Sequence, residues 1–196
     1  MRIISGSARG TRLQTRSVEG LRPMLDRVKE ALFNILRADV PEAQVLDLFS
    51  GSGGLGLEAL SRGASHCVFV ERNRVLADLV RTNAEKCRLD DRCDILVADA
   101  LSLPDREPPS AGVPATLVLA DPPYAMVDDP EQRGRLFQAL EALFGQWVAD
   151  GAPLVLHHRP MEVTSWPAAS LRETDRRVYG QSQLTFFVCA VGDADA

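Results

Sequence analysis

Residues 45–56, Val-Leu-Asp-Leu-Phe-Ser-Gly-Ser-Gly-Gly-Leu-Gly, restrict the folds open to this chain more than any other stretch. A short apolar run over residues 45–49 breaks at a glycine cluster, and Leu55, Leu57 and Leu60 then follow at helical spacing. The pattern predicts a buried strand, a tight turn and a helix. Glycines 51, 53 and 54 let the backbone turn sharply and let a ligand approach it closely. The helix N-terminus beyond them presents unpaired N–H groups. Gly51, Gly53 and Gly56 match the dinucleotide pattern G-x-G-x-x-G, a weak signal by itself. Asp47, four residues before the first glycine, changes its meaning. A carboxylate at that strand end repels a pyrophosphate and attracts an ammonium or sulfonium group. The loop therefore suits S-adenosyl-L-methionine better than NAD. The alternative is an aspartate that only caps its turn.

Downstream, strand and helix patterns alternate. Residues 67–70 form an apolar strand ending in Glu71, which follows Gly51 by 20 residues. At that spacing a strand-end acid reaches ribose hydroxyls in doubly wound sheets. A helix is expected over residues 74–87 and a third strand over 93–97, closing with Ala98-Asp99-Ala100. An acid there can take a hydrogen bond from the exocyclic amine of adenine. A Pro-rich loop over residues 104–114 leads to a fourth strand, 117–120, a helix marked by Leu136, Leu140, Leu143 and Phe144, and a fifth strand, 154–156. Residues 177–179 and 184–191 are expected to pair as a hairpin around Gly180-Gln181-Ser182. The fold class is α/β, doubly wound around a mostly parallel sheet.

The fourth strand delivers Asp121-Pro122-Pro123-Tyr124. Two consecutive prolines fix their own φ and donate no hydrogen bond, so the segment is rigid and its carbonyls are expected to face the crevice. Those carbonyls and the Asp121 carboxylate accept hydrogen bonds only, which fits an –NH₂ group on a planar ring, and Tyr124 offers a flat face for stacking. Such an amine is a poor nucleophile until its hydrogens are held and its lone pair is aimed at the methyl donor. A base inside a duplex must leave its stack to reach the pocket. The bland reading is a strand-ending turn. His157 and His158, adjacent on a strand, point to opposite faces, cannot share a metal, and are expected at the surface.

The chain has 196 residues, enough for one well-buried domain. Cysteines 67, 87, 93 and 189 form no C-x-x-C pair and read as reduced thiols, with no disulfide framework and no metal site expected. No apolar run is long enough to span a membrane, and a cytoplasmic location is expected. Charge is uneven. Arg2, Arg9, Arg12, Arg16, Arg22, Arg27, Lys29 and Arg37 face four acids and put residues 1–40 at +4, so the net charge of −5 leaves −9 on the remainder. A basic N-terminal segment can contact phosphates, or can be no more than a solvated face. Residues 1–16 are expected to form a hairpin around Ile3-Ile4 and Leu13. Asp26 is expected to N-cap a helix that buries Val28, Leu32, Ile35 and Leu36.

Several of these stretches resemble the bacterial RsmD family. They are Met1-Arg2-Ile3-Ile4-Ser5-Gly6, Arg22-Pro23, Asp26-Arg27-Val28-Lys29-Glu30-Ala31-Leu32-Phe33-Asn34, Leu46-Asp47-Leu48-Phe49-Ser50-Gly51-Ser52-Gly53, Leu55-Gly56-Leu57-Glu58-Ala59-Leu60-Ser61-Arg62-Gly63-Ala64, Phe69-Val70-Glu71 and Asp121-Pro122-Pro123-Tyr124. The resemblance implies a seven-stranded class I S-adenosylmethionine-dependent methyltransferase with an N-terminal β-hairpin extension. It implies methylation of the exocyclic N2 of one guanine in 16S ribosomal RNA, free or in the assembling small subunit. One domain, 1–196, would comprise a basic arm (1–24) and a catalytic core (25–196). Asp47, Ser50, Gly51, Gly53, Glu71, Arg72, Asp99 and Ala100 would hold the cofactor. Asp121, Pro122, Pro123 and Tyr124 would hold the guanine, and Arg2, Arg9, Arg12 and Arg22 the RNA. Removing residues 1–16 is then expected to weaken RNA binding and spare cofactor binding. Met24-Leu25, Gly180-Gln181-Ser182 and His157-His158 depart from the family pattern. Three alternatives remain: an adenine-N6 nucleic-acid methyltransferase, since Asp-Pro-Pro-Tyr is shared with such enzymes, an NAD-dependent oxidoreductase, and a non-catalytic RNA-binding module.

Overall fold

A computed structural model describes residues 1–16, 24–109, 113–162 and 165–189. In chain order they form α1 (Asp26–Ile35), β1 (Gln44–Leu48), α2 (Gly56–Ser61), β2 (His66–Glu71), α3 (Arg74–Cys87), β3 (Cys93–Val97), β4 (Leu117–Ala120), α4 (Tyr124–Asp128), α5 (Pro130–Ala142), β5 (Pro153–His158), β6 (Leu171–Tyr179) and β7 (Ser182–Cys189). The strands build one seven-stranded sheet in the order β3-β2-β1-β4-β5-β7-β6. β1 pairs in parallel with β2 and β4, β2 with β3, and β4 with β5, while β7 runs antiparallel to β5 and β6. The sheet is mixed: six strands run in one direction and β7 alone runs against them. Strand order reverses between β1 and β4, the crevice where open α/β sheets bind ligands.

Alternation along the strands divides the core in two. Val45, Leu117, Leu119, Val155 and Leu184 pack on one face with Leu32, Leu57 and Val80 from α1, α2 and α3. Leu46, Leu48, Val118, Leu154 and Leu156 pack on the other with Val127 and Phe137 from α4 and α5. By the same alternation Asp47 on β1 and His157 on β5 face the first cluster, and Asp121, one residue past β4, continues that row. Gly56 begins α2 with no side chain because a β-carbon there would come within 2.3 Å of the Phe69 ring on β2. Among the described residues no helix is long and apolar enough to cross a membrane.

Several expectations need correction. Asp26 does not cap α1: Leu25 occupies the N-cap with no side-chain bond, and Asp26 in the first turn pairs with Arg2 at 3.2 Å. Ile35 is 39% exposed, because α1 tightens into a 3-10 turn over Leu36–Ala38 and only Leu36 turns inward. The N-terminal hairpin is held by a single antiparallel bridge, Arg2 to Arg12, with Ile3 N–H donating to Thr11 O at 2.9 Å. β6 is longer than the sequence suggests, since as the sheet's edge it buries only Leu171 fully, leaves its other positions half-buried or exposed, and carries little apolar signal. Residues 190 and 191 of the expected last strand lie outside the described residues.

Candidate active site

Asp47, at the second-last position of β1, is 1% exposed. Its Oδ2 accepts the Gly56 N–H at the start of α2 (2.9 Å), and its Oδ1 is buried with no hydrogen-bond partner among the described residues. Burial pushes the carboxyl up to about 8, the nearby Asp121 and Glu71 carboxylates push the same way, and the Gly56 N–H opposes them. A buried acceptor left without a donor is costly unless something is meant to fill the place. A cationic group beside Oδ1 would satisfy it and restore the charge. The ammonium of S-adenosylmethionine is such a group, so this carboxylate fits that cofactor.

The turn after β1 passes through Phe49, a bulky residue at φ 61°, then Gly51 and Gly53 at positive φ. A non-glycine residue in that conformation is strained, and such strain collects at ligand sites. Ser50 donates to the carbonyls of Asp47 (2.7 Å) and Val70 (3.2 Å), so its hydroxyl shapes the turn. Glu71 at the end of β2 accepts the N–H groups of Gly51 (2.9 Å) and Asn73 (2.8 Å). Asp99, after β3, accepts the Leu101 N–H at 3.0 Å. Asp47, Glu71 and Asp99 thus stand at the carboxyl ends of three neighbouring strands, with Ala100 buried beside the last and Arg72 exposed. Each carboxylate keeps lone pairs beyond its backbone bonds, enough to accept from hydroxyl or amine hydrogens.

Asp47 and Asp121 line one hollow together with Met1, Met24, Lys29, Phe49, Ser50, Gly54 and Leu55. Asp121 is held against the sheet by its own N–H, which donates to Leu48 O at 3.3 Å. The Pro123 carbonyl accepts the Met126 N–H at 2.9 Å and is committed to starting α4, contrary to the expectation that both proline carbonyls face the crevice. The acceptors left on the segment are the Asp121 carboxylate and the Pro122 carbonyl. Tyr124, the first residue of α4, is half-buried, with the Arg159 guanidinium 5.1 Å from its ring centroid.

The histidines are not at the surface: His157 is 1% and His158 0% exposed. They do point to opposite faces. His157 Nδ1 lies 2.7 Å from Asp121 Oδ1, and its Nε2 lies 3.4 Å from the Tyr124 hydroxyl. His158 bridges the Arg159 carbonyl (2.7 Å) and the Thr185 hydroxyl (2.9 Å), and burial holds its pKa down to about 4. Nothing in the local sequence distinguishes a buried from an exposed histidine pair; the partner of His157 lies 36 residues away.

The N-terminal arm is built into the cleft. Glu58 of α2, 0% exposed, accepts the N–H groups of Ile4 (2.7 Å) and Ser5 (3.0 Å) and the Arg62 Nε (2.7 Å). Lys29 lies 3.4 Å from Glu58 and donates to Arg2 O at 2.7 Å. Lys29 is therefore not a phosphate contact: it is 1% exposed, and burial lowers its pKa despite the attraction of Glu58. Asn83 of α3 clamps both backbone groups of Gln14 and the Ser52 carbonyl of the glycine turn. Met1 lies over Gly54, where a β-carbon would come within 2.2 Å of its sulfur. An arm so placed cannot be removed without opening the hollow that contains Asp47. Arg2, Arg9 and Arg12 are exposed on it, and Arg22 lies outside the described residues.

The sequence profile of the family described as Conserved hypothetical protein 95 matches residues 1–188. Ribosomal RNA small subunit methyltransferase D of Escherichia coli (strain K12) is 36% identical over 153 residues, covering 78% of this chain and 71% of the relative. The solved structure of Escherichia coli yhhF superposes with a TM-score of 0.79 at 30% identity, covering 96% of this chain and 97% of that chain. An RNA methyltransferase from Salinibacter ruber, in complex with S-adenosyl-L-homocysteine, shares the fold at a TM-score of 0.62 and 21% identity, covering 89% of this chain and all of that one.

Proposed function

We propose, from the premise that this chain belongs to the RsmD-type family described as Conserved hypothetical protein 95, that it methylates the exocyclic N2 amine of a guanine in small-subunit ribosomal RNA with S-adenosylmethionine. The observation that carries the reading is one hollow holding two carboxylates with different tasks: a buried Asp47 with an unpartnered oxygen, and an Asp121 at the head of Asp-Pro-Pro-Tyr. The relative from Escherichia coli is named for small-subunit ribosomal RNA, and carrying that over supplies the substrate class. The setting is the cytoplasm, on rRNA or an assembling subunit.

When bound, S-adenosylmethionine supplies a methyl carbon made electrophilic by its sulfonium. Asp47 would take the cofactor's ammonium, Glu71 the ribose hydroxyls and Asp99 the adenine amine. At the Asp121 side of the hollow, Tyr124 would stack the flipped guanine, and the Asp121 carboxylate and Pro122 carbonyl would accept its two N–H hydrogens. Holding both hydrogens aims the nitrogen lone pair across the hollow and stabilises positive charge as it develops there. Arg2, Arg9 and Arg12 would engage phosphates, a contact without sequence information that sets register. Asp121→Ala is expected to lower methyl transfer to small subunits from a strain lacking this gene by at least about 100-fold, with melting temperature and cofactor affinity retained. Activity within about threefold of the parent protein would remove Asp121 from the reaction.

A further inference from the structure

His157 belongs to no motif that carries the methyltransferase reading, yet it is the side chain that ties that site together. It sits on β5 opposite Leu184 of β7, and its side chain is 2% exposed. A buried imidazole is tolerable only when both nitrogens are satisfied. A carboxylate oxygen can only accept, so Nδ1 carries the hydrogen and donates to Asp121 Oδ1 at 2.7 Å. In the neutral ring Nε2 is then an acceptor, and the Tyr124 hydroxyl approaches it at 3.4 Å, with the two rings edge to face at 5.6 Å. One imidazole therefore touches both parts of the proposed base pocket, the carboxylate that accepts the amine hydrogens and the ring that stacks the base.

The contact with Asp121 opposes a definite force. Asp47 and Asp121 line the same hollow, and whenever Asp47 is ionised the two carboxylates repel. With 21% of its side chain exposed, an unrestrained Asp121 could turn towards solvent and away from the amine. We infer that His157 is a positioning residue of the reaction: its Nδ1–H holds Asp121 Oδ1 so that Oδ2 faces the target amine, and its Nε2 sets the edge of the Tyr124 ring. The Arg159 guanidinium, 3.3 Å from Asp128, lies over one face of that ring, so the base would take the other. The inference rests on the reading of the site as a methyltransferase.

Three variants test it. His157→Phe keeps the ring volume and removes both nitrogens; His157→Asn retains a donor near Nδ1; His157→Gln places its amide near Nε2. Single-turnover methyl transfer is measured with labelled S-adenosylmethionine on small subunits from a strain lacking this gene, alongside cofactor affinity by calorimetry. We expect His157→Phe to slow transfer about 10- to 100-fold, as a misplacement of about an ångström does, with cofactor affinity within about twofold of the parent. His157→Asn should recover most of that loss and His157→Gln little of it. A purely structural role would not rank Asn above Gln. Equal rates for Asn and Gln, a Phe variant as fast as the parent, or a parallel loss of cofactor affinity would each overturn the inference. Should the Phe variant not fold, the Asn to Gln ratio alone decides. A parent protein that binds the cofactor but transfers no methyl group defeats the functional reading and this inference with it. A working parent with Asn and Gln alike defeats only the inference.

Discussion

Replacing Asp47 by Asn should change how stability varies with pH in the cofactor-free protein. The Asp47 carboxyl is pushed from 3.8 to about 8 on folding, chiefly by burial. Between those values the folded protein keeps a proton that the unfolded chain has released. Folding is therefore most favoured below the ordinary carboxylate range and weakens as pH rises through this window. The slope is about 1.4 kcal/mol per pH unit for one group, so moving from pH 5.5 to 7.5 costs roughly 3 kcal/mol. For a chain of this size that is a fall of about 6–12 °C in melting temperature. Asparagine has nearly the same shape, can still accept the Gly56 N–H, and does not titrate. Other groups add their own slopes to both proteins, so the quantity to read is the difference between them. Calorimetric unfolding of both at pH 5.5 and 7.5, without cofactor, should show the variant gaining about 3 kcal/mol on the parent across the interval. Parallel profiles would mean that Asp47 ionises normally in the folded state, and the case for a site awaiting a cation would fail. With S-adenosylmethionine present the ranking reverses: the variant lacks the charge, and its affinity should fall about 10- to 100-fold.

Glu58→Ala leaves the Lys29 amine buried beside two unsatisfied backbone N–H groups of the arm. The expected loss is about 3–5 kcal/mol by denaturant titration, and a loss below about 1 kcal/mol would show that the Lys29–Glu58–Arg62 group holds nothing together. Deleting residues 1–16 should lower cofactor affinity about 10-fold or more as well as stability, because Met1 and the Asn83 clamp on the glycine turn go with it. Unchanged affinity in a folded truncation would restore the arm to the role of a separable RNA contact.

The parts of the molecule written in local patterns were legible in the sequence. The apolar run before the glycines, the acids closing successive strands and the alternation with helices each need only a few adjacent residues, and they define β1 to β5 and the crevice between them. What escaped depends on distant partners. Lys29 reads as one charge of a basic, solvated segment; only the arm folding back between α1 and α2 buries it together with Glu58. A charge lodged at 58 among Leu55, Leu57 and Leu60 was the available hint. Asn73, directly before α3, could have been recognised as its N-cap, which accepts from Val75 at 3.0 Å. The burial of His157 follows from β7 lying beside β5, and neither strand's own sequence says so.

Among the described residues β7 is the last strand in chain order, yet it lies inside the sheet, between β5 and β6. Until Ser182–Cys189 has left the ribosome, β5 is a bare edge of apolar residues, open to pairing with any other extended chain. His157 meanwhile has no wall behind it. The proposed base pocket is therefore complete only once β7 is in place, and a chain cut short before Ser182 would be inert and prone to aggregate, even with every glycine and every acid of the first half in place.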